Sequence, residues 1–224
     1  LLDRAHMSSH PVIHVPPSGA PSPLKRGAKG AARLAALVGV SPVLLSYWLS
    51  AAVRGRGPAL ESRTQLLSLW PGLTGQYLRR AFLQQVLAKC HPSATVEFGT
   101  FFSQPGAVLD ENVYVGPRCT LGLVHLERDV LLAAGVQIPS GGLTHYFDDP
   151  TRPIREQGGE RKRVTVGAGA WVGSGAIVLA DVGAGTVVAA GSVVTKPLPA
   201  NVIAAGVPAK VIRGRFDPPG AADG

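Results

Sequence analysis

Six histidines, two cysteines and the acidic pair Asp148-Asp149 are the first groups in this 224-residue chain to weigh for acid–base, nucleophilic or metal chemistry. His6, His10 and His14 recur every fourth residue, the spacing at which a helix lines up metal ligands, but Pro11, Pro16 and Pro17 break a helix there. His91, His125 and His145 lack the close pair that a three-histidine metal centre needs, so no metal is expected. Cys90 and Cys119 are too few for a disulfide framework and read as buried thiols. His145 lies in Leu-Thr-His-Tyr-Phe-Asp-Asp-Pro, where an imidazole, titrating near neutrality, can take the proton of an attacking hydroxyl. On its residues alone a loop histidine without a role is the favoured reading. Asp148 and Asp149 can orient it or bind sugar hydroxyls, although Asp-Asp-Pro is also a plain turn.

What must position His145 is a repeat. Aliphatic residues recur every sixth position at Leu109, Val115, Leu121, then Leu126, Leu132, Ile138, then Val166, Val172, Val178, and the series continues at Val182, Val188, Val194. The next residue is often small, as at Gly116, Gly167, Gly173, Gly183 and Ala189, and small residues recur three or four places on. A six-residue edge holds a short strand with its aliphatic inward and a corner where a small residue allows positive φ. Three edges make a triangular coil, and stacked coils bury a column of Val, Leu and Ile. Residues 164–194 leave no room for the helical crossovers of an ordinary parallel sheet. Residues 139–163 interrupt the repeat once, and a long excursion from a strict scaffold is where function concentrates.

Three stretches carry a resemblance: Val-Gly-Ala-Gly-Ala-Trp-Val-Gly-Ser-Gly-Ala from Val166, Ala-Gly-Ser-Val-Val-Thr-Lys-Pro from Ala190, and Ala-Ala-Gly-Val-Pro-Ala-Lys-Val-Ile-Arg from Ala204. They resemble the hexapeptide-repeat acyltransferases over residues 91–213, nearest to the sugar and polysaccharide O-acetyltransferases. The resemblance implies a mainly β fold, a left-handed parallel β-helix with an N-terminal helical segment and a short C-terminal extension. It also implies acetyl-CoA as acyl donor, a hydroxyl-bearing small molecule or glycan as acceptor, and a homotrimer with cofactor grooves between subunits. His145 then matches the catalytic base. Trp171 and Ser174 match residues beside the cofactor arm, with Ser174 available to the oxyanion, and Ala190, Thr195, Lys196, Lys210 and Arg213 match the cofactor side. Gly116 stands where galactoside-type enzymes carry an acceptor-binding Asn, so acceptor identity does not carry over. The alternatives are a xenobiotic O-acetyltransferase or a non-catalytic scaffold.

The remaining chain sets the organisation. Residues 1–30 are expected to be a disordered tail, with residues 1–6 a cloning remnant ahead of Met7; residues 31–90 are helical, 91–213 form the β-helix, and 214–224 are a tail. Residues 34–53 carry no charge, yet Pro42 after Ser41 favours a short amphipathic helix packed on the domain, ahead of an interfacial membrane helix and of a membrane span. A second helix after Pro71-Gly72 is capped by Thr74, with Leu78, Phe82, Val86 and Cys90 on its buried face and Arg79, Arg80 and Lys89 opposite. The net charge of +8 admits anionic partners, coenzyme A among them, but no nucleic-acid motif is present. The expected location is cytoplasmic, with peripheral contact at the inner membrane face.

Overall fold

The computed structural model describes residues 23–218. Three helices, α1 (Pro23–Arg54), α2 (Arg56–Ser68) and α3 (Gly72–Val86), precede sixteen short strands, β1 (Lys89–Cys90) to β16 (Ala209–Gly214). The strands form three parallel faces. Face A stacks β1, β4 (Val108–Leu109), β7 (Val124–Leu126) and β10 (Val164–Val166); face C stacks β3 (Phe101–Phe102), β6 (Thr120–Leu121), β9 (Gln137–Ile138), β12 (Ile177–Val178) and β14 (Val193–Val194); face B stacks β2 (Thr95–Val96), β5 (Tyr114–Val115), β8 (Leu131–Leu132), β11 (Trp171–Val172), β13 (Val187–Val188), β15 (Val202–Gly206) and β16. Only β16 is antiparallel, folded back on β15 (Val202–Gly206). The six parallel strands of face B mark six coils of a left-handed β-helix, as the repeat predicted.

Every inward position named from the repeat is buried, including Val166, Val172, Val188 and Val194. The column begins one coil earlier, at Cys90, Val96 and Phe102. Cys90 therefore belongs to β1 and not to the helix stripe, and α3 ends at Val86. Burial pushes its thiol up to about 12 and that of Cys119 up to about 11, so both stay protonated at neutral pH.

The small residues fall into two columns with different causes. Gly169, Gly175, Gly185 and Gly191 turn the corners at positive φ, between 64° and 69°. Gly116, Gly167, Gly173 and Gly183, each directly after an inward aliphatic, have no side chain because the next coil lies on them: a Cβ on Gly173 would sit 2.5 Å from the Ala190 nitrogen.

The helices close the open end of the solenoid, where unpaired strand edges would otherwise invite association. Thr64 Oγ1 accepts from the Phe102 amide and donates to its carbonyl, both at 3.1 Å. Arg79, expected on the solvent side of α3, is instead buried. Its Nε donates to Val96 O at 2.9 Å, and its Nη1 donates to Leu67 O at 3.2 Å and Trp70 O at 2.7 Å. The guanidinium thus adds a donor to the carbonyls that follow α2 and ties them to the first coil. Arg79→Met is expected to destabilise the protein by about 2 kcal/mol, because the Val96 and Trp70 carbonyls lose their donor. Urea unfolding of the two proteins measures the difference.

Three further expectations are corrected. α1 starts at Pro23 and passes unbroken through Pro42; the Ser41 hydroxyl donates at 2.7 Å to Val38 O, the carbonyl that proline leaves without its helical donor. Thr74 caps nothing, since Pro71 is the N-cap of α3. The segment between α1 and α3 forms α2, a separate helix within the stretch expected to be helical. His6, His10, His14 and the tail ends lie outside the described residues.

Candidate functional site

The loop of residues 139–163 leaves the corner between faces C and A after β9 (Gln137–Ile138) and returns to β10 (Val164–Val166). Its base is fixed. Ser140 is buried at φ 80°, and its hydroxyl accepts from the Leu123 amide at 2.7 Å. Beyond it the two arms pair through Lys162 N to Ser140 O (2.9 Å), Glu160 N to Leu143 O (2.8 Å) and Tyr146 N to Gly158 O (3.0 Å). Gln157 clamps the tip: its amide donates at 2.8 Å to both Asp149 O and Arg152 O, and its Oε1 accepts from Asp149 N at 3.0 Å.

His145 lies on the outgoing arm, exposed, and its ring makes no hydrogen bond to the described residues. Gly159 faces it from the returning arm so closely that a Cβ there would lie 2.0 Å from Thr144 O and 2.9 Å from the His145 Cα. The expectation that Asp148 or Asp149 orients His145 within the chain is not met. Asp149 Oδ1 accepts from the Thr151 amide at 2.9 Å and hydroxyl at 2.6 Å, and these bonds hold its carboxyl below the usual range. Its work is the turn, and Asp148 is exposed without a side-chain bond among the described residues.

The cofactor-side candidates fall at two corners. Ser174 and Ala190 stack at the corner between faces B and C, where the Gly191 amide donates at 2.8 Å to Ser174 O. Trp171, half exposed, projects from β11 (Trp171–Val172) on face B beside them. Lys210 on β16 pairs with Ala205, at the upper end of that corner. Thr195 and Lys196 lie exposed at the corner between faces C and A, on the side from which the loop departs. Thr195 lines a groove of about 190 Å³ there with Lys162, Arg163, Leu179 and Asp181. Arg213 is already engaged: its Nη1 donates to Gly214 O at 3.0 Å and Asp217 O at 2.8 Å. Within one chain, therefore, His145 belongs to one end of face C and Ser174 with Ala190 to the other.

Gly116 occupies the same B–C corner two coils below Ser174, where a Cβ would meet the Ala133 carbonyl carbon at 2.7 Å. No side chain fits there in this backbone, which accounts for the departure from the galactoside-type pattern.

His125 gained partners that periodicity did not signal. It points outward from β7 (Val124–Leu126), its Nε2 2.9 Å from Asp110 Oδ2, while Lys89 Nζ donates to Asp110 Oδ1 at 2.5 Å. Hydrogen bonds from Lys89 and His125 hold the Asp110 carboxyl below its ordinary range against the opposing effect of burial. Lys89 and His125 share a register position with Val108 on the coil between them, and Asp110, just past Leu109, reaches both, a grouping readable only once the coils are stacked. Lys89 and Asp110 border an open groove at the A–B corner, away from the loop. Among the described residues no cluster of metal-ligating side chains occurs.

No protein-family model matches the chain. A Dictyostelium discoideum protein named "Putative acetyltransferase" is 42% identical over 113 residues, which span 46% of this chain and 57% of that protein. The match thus covers little more than half of the relative. Among solved structures, a galactoside acetyltransferase in complex with coenzyme A is 26% identical with a TM-score of 0.56, over 71% of this chain and 82% of that one. A maltose O-acetyltransferase from Clostridium difficile 630 is 24% identical with a TM-score of 0.60, over 75% and 91%. The chain has the hexapeptide-repeat, left-handed β-helix fold of the galactoside and maltose acetyltransferases.

Proposed function

We propose that the chain is an acetyl-CoA-dependent O-acetyltransferase that acylates a hydroxyl of a sugar or polysaccharide precursor in the cytoplasm, working as a homotrimer. The observation that carries this reading is the loop: the one long excursion from a uniform coil holds an exposed imidazole on two hydrogen-bonded arms. The similarity to a galactoside acetyltransferase with bound coenzyme A supports the donor. The separation of His145 from Ser174 and Ala190 across face C favours a site shared between subunits, where the base of one chain meets the cofactor arm on its neighbour.

The reaction is direct transfer. His145 takes the proton of the acceptor hydroxyl as its oxygen attacks the thioester carbonyl, and the Ser174 hydroxyl donates a hydrogen bond to the tetrahedral oxyanion. The carbon–sulfur bond then breaks, and the imidazolium returns the proton to the departing thiolate. Trp171 packs along the cofactor arm. Lys196 and Lys210 face its phosphates, whereas Arg213 keeps the C-terminal turn in place for them. Release of free thiol from acetyl-CoA, assayed against sugars, antibiotics and amino acids with product masses recorded, tests the reading. Thiol release with none of them, or an acyl product on nitrogen only, would sink it.

Lys196→Ala and Lys210→Ala are expected to raise the KM for acetyl-CoA several-fold and to leave saturated turnover nearly unchanged, as loss of ground-state binding does. The effect should fade as salt screens exposed charge over about 10 Å. Wild-type binding of both coenzyme A and its 3′-dephospho form by both variants would place these lysines outside the cofactor site.

A further inference from the structure

The outward face of α1 has a character that acyl transfer does not use. At about 100° per residue, Leu34, Leu37, Val38, Leu45, Trp48, Leu49 and Val53 fall within an arc of roughly 160°. All seven are exposed, from 38% at Leu37 to 86% at Val53. The opposite side of the same helix is where α1 packs: Ala36, Val40 and Tyr47 are buried. A helix on the surface of a water-soluble domain turns polar residues outward, whereas this one turns its leucines, valines and Trp48 outward, and the hydroxyl of Ser41 within the arc is spent on Val38 O.

The stripe continues beyond α1. Leu73, 71% exposed, borders Ala32 and Ala35 of α1 across an apolar groove of about 330 Å³, and Leu69 and Trp70 lie exposed in the same connection. Charge frames it with one sign. Residues 34–53 carry none, Lys29 and Arg33 precede them, Arg54 and Arg56 follow, and α1 contains no acidic residue. Apolar side chains with indole rings, bordered by cations and free of carboxylates, match the interface of a bilayer with anionic headgroups.

We propose that this face docks on the surface of an anionic phospholipid bilayer, with α1 lying in the plane of the interface. The helix lies flat because its other side is committed. Tyr47 meets Phe82 edge-on at 5.8 Å, and Arg63 of α2 donates to Ser46 Oγ at 3.0 Å and Ser46 O at 3.1 Å. Crossing the membrane would strip α1 from α2 and α3.

The test is co-sedimentation of the whole protein with vesicles of phosphatidylcholine alone and with about one third phosphatidylglycerol, at low and high salt. Binding is expected on the anionic vesicles, weaker on neutral ones and reduced by salt. Brominated acyl chains are expected to quench tryptophan emission, and Trp48→Phe to remove most of that quenching. The double variant Leu45→Ser/Leu49→Ser, which alters exposed side chains only, is expected to keep the wild-type melting temperature and thiol-release activity and to lose at least tenfold in vesicle affinity. Absence of wild-type binding to any vesicle, or undiminished binding by the folded double variant, overturns the proposal. So does a double variant that lowers the mass of the vesicle-free oligomer, since the stripe is then a contact between copies.

Discussion

Turnover of the His145→Ala variant is expected to fall by at least about 100-fold, the usual scale for a positioned general base, with the KM for acetyl-CoA nearly unchanged. The imidazole lies on the rim of the loop and buries nothing, so its removal costs little stability, and the loss should appear in kcat at an unaltered melting temperature. His125→Ala is the comparison that gives the result meaning. His125 is the better-partnered histidine, 2.9 Å from Asp110, and that pairing is the usual mark of an oriented base. Yet Asp110 is shared with Lys89, and the cluster sits on the corner away from Ser174 and Ala190. His125→Ala is expected to keep near-wild-type turnover. If the order of the two effects is reversed, the base is His125 and the loop has another task.

The coil itself was readable because its cause is strictly periodic. One aliphatic per six residues leaves a mark that survives any outward side chain, and each of Leu109, Val115 and Leu121 falls where that period puts it. How the helices cap the coils was not, although their presence was, because the contacts that seat them are individual and not repeated. α2 has no clear apolar stripe, and Thr64 and Arg79 are polar residues whose burial depends on carbonyls offered by other elements. The same reason hid the Lys89–Asp110–His125 group, whose members are 21 and 15 residues apart in sequence and become neighbours only when coils stack. For the site, the sequence singled out the loop, while the identity of its base came from resemblance. What no reading of residues 139–163 supplied is how the arms are held together. That depends on pairing between positions 140 and 162, 143 and 160, and 146 and 158, and on a glycine between them with no room for a side chain.

That glycine supplies the second large effect. Gly159→Ala adds one methyl group at a point 2.0 Å from Thr144 O and 2.9 Å from the His145 Cα, well inside contact distance and against backbone that cannot rotate away. The arms must part, and His145 moves with the outgoing one. A shift of about 1 Å in a catalytic group can cost on the order of 100-fold in rate, so kcat is expected to fall between 10- and 100-fold. The solenoid should not notice, since the loop hangs outside the buried column and its base is fixed separately by Ser140. Gly173→Ala makes the contrast: its Cβ would press at 2.5 Å on the Ala190 nitrogen in the next coil, so it should lower the melting temperature together with the activity. Measuring both variants by thermal melting and by thiol release separates the two kinds of glycine. A Gly159→Ala protein that melts as wild type and loses turnover without a change in KM for acetyl-CoA assigns this residue to the positioning of His145. Full turnover in that variant shows either that the arms relax without moving the imidazole or that the imidazole is not the base, and the His145→Ala measurement decides between them.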